Sequence, residues 1–455
     1  MTLYRTLDPT TGELLETFKT ASEPEIADAL SAARGAFAPW RRRPLAERVA
    51  VLEQAAEVLE ESIDELALMM AIEMGKPLAQ GRGEVSKCAW VCRYYVQHAG
   101  EMLAPRTAES DGSEAWIRHE PLGPILAIMP WNFPLWQVFR FAAPALAAGN
   151  VALLKHAPNT PRCAVAIERI WHQAGAPNHV FQNLFLSNEQ AARVIQAPEV
   201  RGVTLTGSTR AGREVAAIAG RALRPMVMEL GGSDPFLVFA DADIDRAVQQ
   251  AVGSRCLNSG QSCIAAKRFL VEASVYDDFL ARFVDAMKSQ TVGDPKHDTT
   301  QIGPLAREDL RDLLDTQVEQ AKQAGARVAY GGKRPEGPGF FYAPTVLVDL
   351  PPASEAARQE LFGPVAVVYR FDDEHQALDL ANATDYGLGA SLWTADRQRA
   401  ERLIPEIDAG SVFVNGFVKS DPRLPFGGTK QSGFGRELAR EGMLEFVNLK
   451  TVWIA

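Results

Sequence analysis

Between residues 45 and 74 apolar side chains return every third or fourth position, at Val49, Leu52, Ala56, Leu59, Ile63 and Leu66. That is the spacing of one face of an amphipathic helix, and Gly75-Lys76-Pro77 is a stop signal for it. A second helical run is predicted over about residues 84–103. The polar interval 107–114 leads into Ala115-Trp116-Ile117-Arg118, and its Asp111-Gly112 is a hairpin dipeptide, so a protruding two-stranded ribbon is expected here.

Beyond Pro121 short apolar runs alternate with longer helical ones. Strands are expected at 124–129, 150–154, 180–186, 202–205 and 226–230, with helices at 138–148, 161–174, 189–196 and 208–219. Near-continuous apolar strands separated by helices mark a parallel sheet covered on both faces. Such sheets take ligands at the carboxyl ends of their strands. The alternation resumes after Gly231, with strands at 235–239, 268–271 and 365–371 and helices at 243–257, 275–287, 307–324 and 374–383. A second α/β domain starting near Gly232 accounts for it. The chain closes on an apolar run at 450–454, an exposed strand that is a liability unless paired, and a partner subunit is the expected mate.

At 455 residues the chain is too long for a single core. Its apolar fraction of 47% and charged fraction of 23% are those of an ordinary globular protein. The net charge of -10 and the lack of any basic run beyond Arg41-Arg42-Arg43 argue against a nucleic-acid partner. No apolar run is long enough to span a bilayer, and Met1 to Arg5 does not begin a secretory signal. Five scattered cysteines suit a reducing compartment, so a cytoplasmic location is expected. Cys88 and Cys92 lie four apart on a predicted helix, but with no matching pair elsewhere they read as packed core residues and no metal site is expected.

The candidate chemistry centres on Asn258-Ser259-Gly260-Gln261-Ser262-Cys263-Ile264, where small and polar residues present one thiol between a helix and a strand. Upstream, Leu205-Thr206-Gly207-Ser208-Thr209 leaves a predicted strand and enters a helix. Gly207 permits a tight turn, Ser208 can cap, and the free amides of the first turn would face an anion such as a pyrophosphate. The stretch matches neither standard glycine-loop pattern.

Six motifs, taken in order, carry a resemblance. They are Pro130-Trp131-Asn132-Phe133-Pro134, Thr206-Gly207-Ser208-Thr209, Glu229-Leu230-Gly231-Gly232, Gly260-Gln261-Ser262-Cys263, Glu360-Leu361-Phe362-Gly363-Pro364 and Pro425-Phe426-Gly427-Gly428. With them the chain resembles the NAD(P)-dependent aldehyde dehydrogenase superfamily over essentially its whole length. The resemblance implies a Rossmann-like cofactor domain (1–102 and 122–231), an α/β catalytic domain (232–446) and a small β oligomerisation arm (103–121 and 447–455), in a homodimer or homotetramer. It also implies Cys263 as nucleophile, Asn132 with the Cys263 amide as oxyanion donors, and Glu229 as the base that activates water against a thioester. Trp131, Lys155, Gly207, Ser208, Glu360 and Phe362 are expected to hold NAD or NADP. Pro158 stands where the family commonly has a ribose-binding glutamate, which leaves the choice between the two open.

Within the family the chain is similar to the succinate-semialdehyde-oxidising members. Arg140 and Ser420 match the residues that hold the substrate's far carboxylate there, whereas the usual second arginine is Leu257 here. Arg423 is the expected substitute. The expectation is oxidation of a small-molecule aldehyde, succinate semialdehyde, to a carboxylic acid. A broad aliphatic aldehyde dehydrogenase is the alternative, and a catalytically silent scaffold of the same fold is a more distant one.

Overall fold

The computed structural model describes residues 4–455. Met1 to Leu3, which open both the N-terminal stretch read for a signal and the first expected domain, lie outside the described residues. Two large sheets, each covered by helices, organise the chain.

The first sheet has six strands in the order Gly433–Phe434, Met226–Glu229, Gly202–Thr206, Pro124–Ile128, Val151–Lys155 and Phe181–Asn183. All pairs are parallel except the Gly433–Phe434 edge, which runs antiparallel to Met226–Glu229. Its central strands are buried at every position but the half-buried Ile128, as their apolar sequences require of a sheet covered on both sides. From Pro124–Ile128 the chain first builds outward to Val151–Lys155 and Phe181–Asn183, then returns to the other side at Gly202–Thr206. The connections therefore reverse direction between Pro124–Ile128 and Gly202–Thr206, and a crevice opens at the carboxyl ends of such a pair. Two expected functional motifs leave the sheet there: Trp131 and Asn132 after the first strand, Gly207 and Ser208 after the second.

The second sheet has seven strands in the order Arg327–Tyr330, Thr345–Val348, Val365–Phe371, Arg268–Glu272, Pro235–Val238, Ala390–Trp393 and Val412–Val414. Successive side chains of a strand point to opposite faces, and the packing follows that rule. Phe236, Val238, Phe269 and Val271 enter one core, while Leu237 and Leu270 enter the other. Four of these strands, at Arg327, Thr345, Ala390 and Val412, go beyond the sequence expectation.

Two sequence expectations need correction. The helix expected over 45–74 is two helices, Leu45–Glu61 and Ile63–Met74, broken at Ser62. The terminal strand Val447–Ile454 does not wait for a partner subunit. It pairs antiparallel with Glu114–Pro121 of its own chain from Val447↔Pro121 to Ile454↔Glu114, and Arg106–Thr107 completes a three-stranded arm. Pairing eight residues within the chain satisfies one side of the strand's backbone. Its outer edge is unpaired among the described residues, and Leu449, Trp453 and Ile454 are exposed.

Helix Ile63–Met74 ends at Gly75, with φ of 77°, in the left-handed region. The next helix, Leu78–Met102, starts after Pro77, so the turn between them delivers Lys76 into the interior, where it is 1% exposed. A Cβ at Gly75 would sit 2.6 Å from the Pro304 carbonyl oxygen. Gly75→Ala is therefore expected to destabilise the protein by about 2 kcal/mol or more, combining left-handed strain with a backbone clash. Gly35→Ala is expected to stabilise it by about 0.5–1 kcal/mol, since Gly35 lies in helix Glu23–Trp40 with nothing within 4 Å of the added carbon. Thermal or urea unfolding of the two variants against the parent checks both signs.

Candidate active site

The cysteine loop is wound tightly. After helix Ile244–Cys256 the chain turns through Asn258 (φ 55°), Ser259 (φ 56°) and Gly260 (φ 77°), three consecutive left-handed residues. Such a run is costly for side-chain-bearing residues and persists only where surroundings fix it. Here the fixing groups are specific. Asn258 N donates to Gln80 Oε1 (2.6 Å), Ser259 Oγ accepts from Gly303 N (2.9 Å), and Gln261 Oε1 accepts from Ala306 N (2.9 Å). Buried Arg255 donates to Gly260 O (2.6 Å). A Cβ at Gly260 would lie 2.2 Å from the Gly363 carbonyl carbon, so only glycine lets the cysteine loop seat against the Glu360–Pro364 loop.

Buried Lys267 then sets the direction of the peptides. Its ammonium donates to the carbonyls of Ser262 (3.0 Å), Cys263 (2.8 Å) and Ala265 (3.0 Å). In a trans peptide the N–H points opposite to the C=O, so holding Ser262 O turns the Cys263 N–H away from Lys267. That N–H has no acceptor among the described residues.

The Asn132 loop is held in a matching way. Lys76 donates to Asn132 O (2.9 Å) and forms a buried ion pair with Glu84, whose other oxygen accepts from the Leu135 and Trp136 amides at 2.9 Å each. The Asn132 side-chain amide donates to Gln261 O (3.0 Å), two residues before the thiol, and this is its one bond among the described residues. A primary amide has two N–H groups, so a second remains to donate.

Glu229 ends a strand of the first sheet and is 2% exposed, with Oε1 free of any hydrogen bond among the described residues. Burial pushes its carboxyl well above the ordinary range, opposed by Arg140 and reinforced by Glu437. The Gly427-Gly428 turn passes so close that a Cβ at Gly427 would lie 2.9 Å from Glu229 Oε1. Cys263 is raised to about 12 by burial, with Lys267 and Arg140 opposing and Glu229 reinforcing the shift. The thiol is therefore protonated at neutral pH until a base takes its proton.

A cavity of about 260 Å³ brings together Cys263, Phe133, Trp136, Arg140, Ser420 and Lys87. Arg140 and Ser420 thus share a cavity with Cys263. Arg140 is not free, however. It forms a buried ion pair with Glu437, donates to Thr206 Oγ1 (3.3 Å) and stacks on Phe426 at 4.8 Å, which leaves Nε without a partner among the described residues. Arg423 does not substitute for the arginine absent at Leu257. Its guanidinium binds Asp421 at 2.9 and 2.6 Å, lies over Trp90 at 5.4 Å, and its side chain is 66% exposed outside the cavity lining. A carboxylate two residues away captures it.

Of the residues expected to hold a dinucleotide, Lys155 ends strand Val151–Lys155, where burial lowers its ammonium to about 8 and no carboxylate among the described residues pairs with it. Ser208 caps helix Thr209–Arg221 through Ala211 N (3.3 Å), and Gly207 N is tied to Glu229 O (2.9 Å). The strand that ends in Lys155 and the one that leads to this helix start flank Pro124–Ile128 on either side, and free amides at a helix start suit a phosphate-bearing group. Trp131 and Phe362 meet edge to face at 5.8 Å. Glu360 is folded inward, accepting from Gly232 N (3.0 Å) with Lys267 Nζ 3.7 Å away, and burial raises its carboxyl.

Sequence reasoning missed Lys76, Glu84, Lys267, Glu437 and Lys87. Glu84 was legible in one respect, since Val85, Cys88 and Cys92 place it beside a buried helix face.

Comparison with known proteins agrees with this geometry. The model of the "Aldehyde dehydrogenase family" matches residues 2–452. The "Probable succinate-semialdehyde dehydrogenase [NADP(+)]" of Synechocystis sp. is 50% identical over 450 residues, covering 99% of each chain. Succinate-semialdehyde dehydrogenase [NADP(+)] 1 of Mycobacterium tuberculosis is 48% identical over 453 residues, again covering 99% of each. The solved structure of succinic semialdehyde dehydrogenase from Streptococcus pyogenes in complex with NADP+ superposes with a TM-score of 0.97 at 37% identity over 99% of both chains. With a family match over residues 2–452 and relatives about half identical along nearly the whole sequence, the chain belongs to the aldehyde dehydrogenase family.

Proposed function

We propose that this protein oxidises succinate semialdehyde to succinate with NADP+, without phosphorylating the product. The observation that carries the reading is the cavity that Cys263 shares with Arg140, Ser420 and Lys87. The relatives named above support the substrate, and their names and the Streptococcus pyogenes complex support the cofactor. Pro158 agrees with NADP+, because a carboxylate at that position would repel a 2'-phosphate.

Cys263 Sγ adds to the aldehyde carbon as its proton passes to Glu229, forming a thiohemiacetal. The oxyanion is received by the Cys263 N–H and by the free N–H of Asn132. NADP+, when bound, supplies the hydride acceptor. Once Glu229 has released the thiol's proton to solvent, the thioester left on Cys263 is attacked by water whose proton Glu229 takes, a role suited to a carboxyl that burial holds above its ordinary range. The acid leaves and the thiol is restored. Lys155, Ser208, Gly207, Trp131, Glu360 and Phe362 are the residues that would hold the dinucleotide, with the first sheet and its helices as the cofactor unit. The exposed apolar edge of the arm supports a homodimer or homotetramer. The five free thiols are consistent with a cytoplasmic setting.

Reduced-cofactor formation across a small aldehyde panel tests the substrate: kcat/KM is expected to be highest for succinate semialdehyde, and a preference for uncharged aliphatic aldehydes would overturn it. Cys263→Ala should lose activity on every aldehyde by about a thousandfold or more. Glu229→Gln should slow both the formation of the first reduced cofactor and steady-state turnover, since Glu229 takes a proton in each step. Alkylation of Cys263 by iodoacetamide should accelerate about tenfold per pH unit across the alkaline range. Peptide mapping should find the four buried thiols unlabelled.

A further inference from the structure

Lys87 projects from helix Leu78–Met102 into the lining of the Cys263 cavity. Its ammonium donates to Ser420 Oγ (2.7 Å) and lies over the face of Trp136 at 4.2 Å. It has no carboxylate within ion-pair distance among the described residues. The acidic groups near it are already committed. Glu84, three positions earlier on the same helix, is held by Lys76 and two backbone amides. Asp421, from the Ser420 loop, is held by Arg423, and Glu437 is held by Arg140. The remaining titratable neighbours are Arg140, buried Cys88 and, in the cavity lining, the Cys263 thiol and Lys419, whose side chain is exposed to water. Largely withdrawn from water, an ammonium without a counter-ion is costly. Such a group is stabilised when an anion enters the space it faces.

The geometry points to Lys87 as the specificity-determining cation of this enzyme, whose ammonium, together with the Ser420 hydroxyl, binds the carboxylate at the far end of the substrate. This assigns to helix Leu78–Met102 the positive charge that the sequence lacks at Leu257 and that Arg423 does not bring. A flexible ammonium differs from a guanidinium fork in what it recognises: it binds as a point charge and accepts a range of carboxylate orientations. Burial, with Arg140 nearby, lowers Lys87 to about 8. The cation is thus present at neutral pH and is lost as pH rises past that value, while the substrate carboxylate remains ionised throughout.

The inference rests on the proposed oxidation of succinate semialdehyde, and the test separates the two. Kinetics of the parent, Lys87→Met and Lys87→Arg are compared on succinate semialdehyde and on butanal. Lys87→Met, which keeps an apolar stem against Trp136, should raise KM for the acid aldehyde at least about tenfold, the worth of a hydrogen bond to a charged group, and leave kcat and butanal turnover within about threefold. Lys87→Arg should keep the preference for the acid. In the parent, KM for succinate semialdehyde should climb above about pH 8 while KM for butanal does not, and in Lys87→Arg that climb should vanish. A parent without preference for the acid aldehyde overturns both readings. A parent with that preference, retained in Lys87→Met or lost equally on both substrates, overturns the Lys87 assignment alone. A flat parent pH profile does the same, whether or not the methionine variant folds.

Discussion

An ammonium group enclosed by protein must be surrounded by oxygen atoms, and the site is built on two lysines that meet this demand with backbone carbonyls. Lys267 gathers three carbonyls of the cysteine loop and Lys76 gathers that of Asn132. Charge-assisted bonds of this kind are stronger than neutral ones. The bond to Ser262 O leaves the Cys263 N–H, at the other end of that peptide, turned away from the cation. The donors that face a reacting oxygen are thus oriented from behind, by cations that never touch it, and preorganisation of this sort is where enzymes find much of their rate.

The same cations explain how a site so densely charged stays folded. Lys76 is matched by Glu84, and Glu84 in turn accepts the first amides of helix Trp136–Ala148. Arg140, on that helix, is matched by Glu437. Around Glu229 this leaves a carboxyl whose own partner is missing, so burial is free to raise its proton affinity.

Much of this was legible in the sequence. The central strands declared themselves through unbroken apolar runs, because both faces of a covered sheet exclude water. Cys263 stood out because small and polar residues replace an apolar pattern around it, whereas Asn132 and Glu229 were reached through the family resemblance. The strands at Thr345 and Ala390 were not legible, since a short buried strand differs little in periodicity from a loop beside it. The break at Ser62 was missed because the apolar spacing continues across it. Arg423 misled because its local capture by Asp421, two residues away, competes with any longer reach. Lys87 could not be read at all: its partner Ser420 lies 333 positions downstream, and no local rule links two such residues.

Gly260 seats the cysteine loop on Gly363 with no side chain between them, and Gly363 follows Glu360 by three positions. The two loops open neighbouring strands, Arg268–Glu272 and Val365–Phe371, which are hydrogen-bonded along their length. Backbone resting directly on backbone compresses very little. Sulfur and carboxylate are consequently carried on a common chassis, so that any rocking of this half of the molecule transports them in unison and leaves their mutual spacing intact.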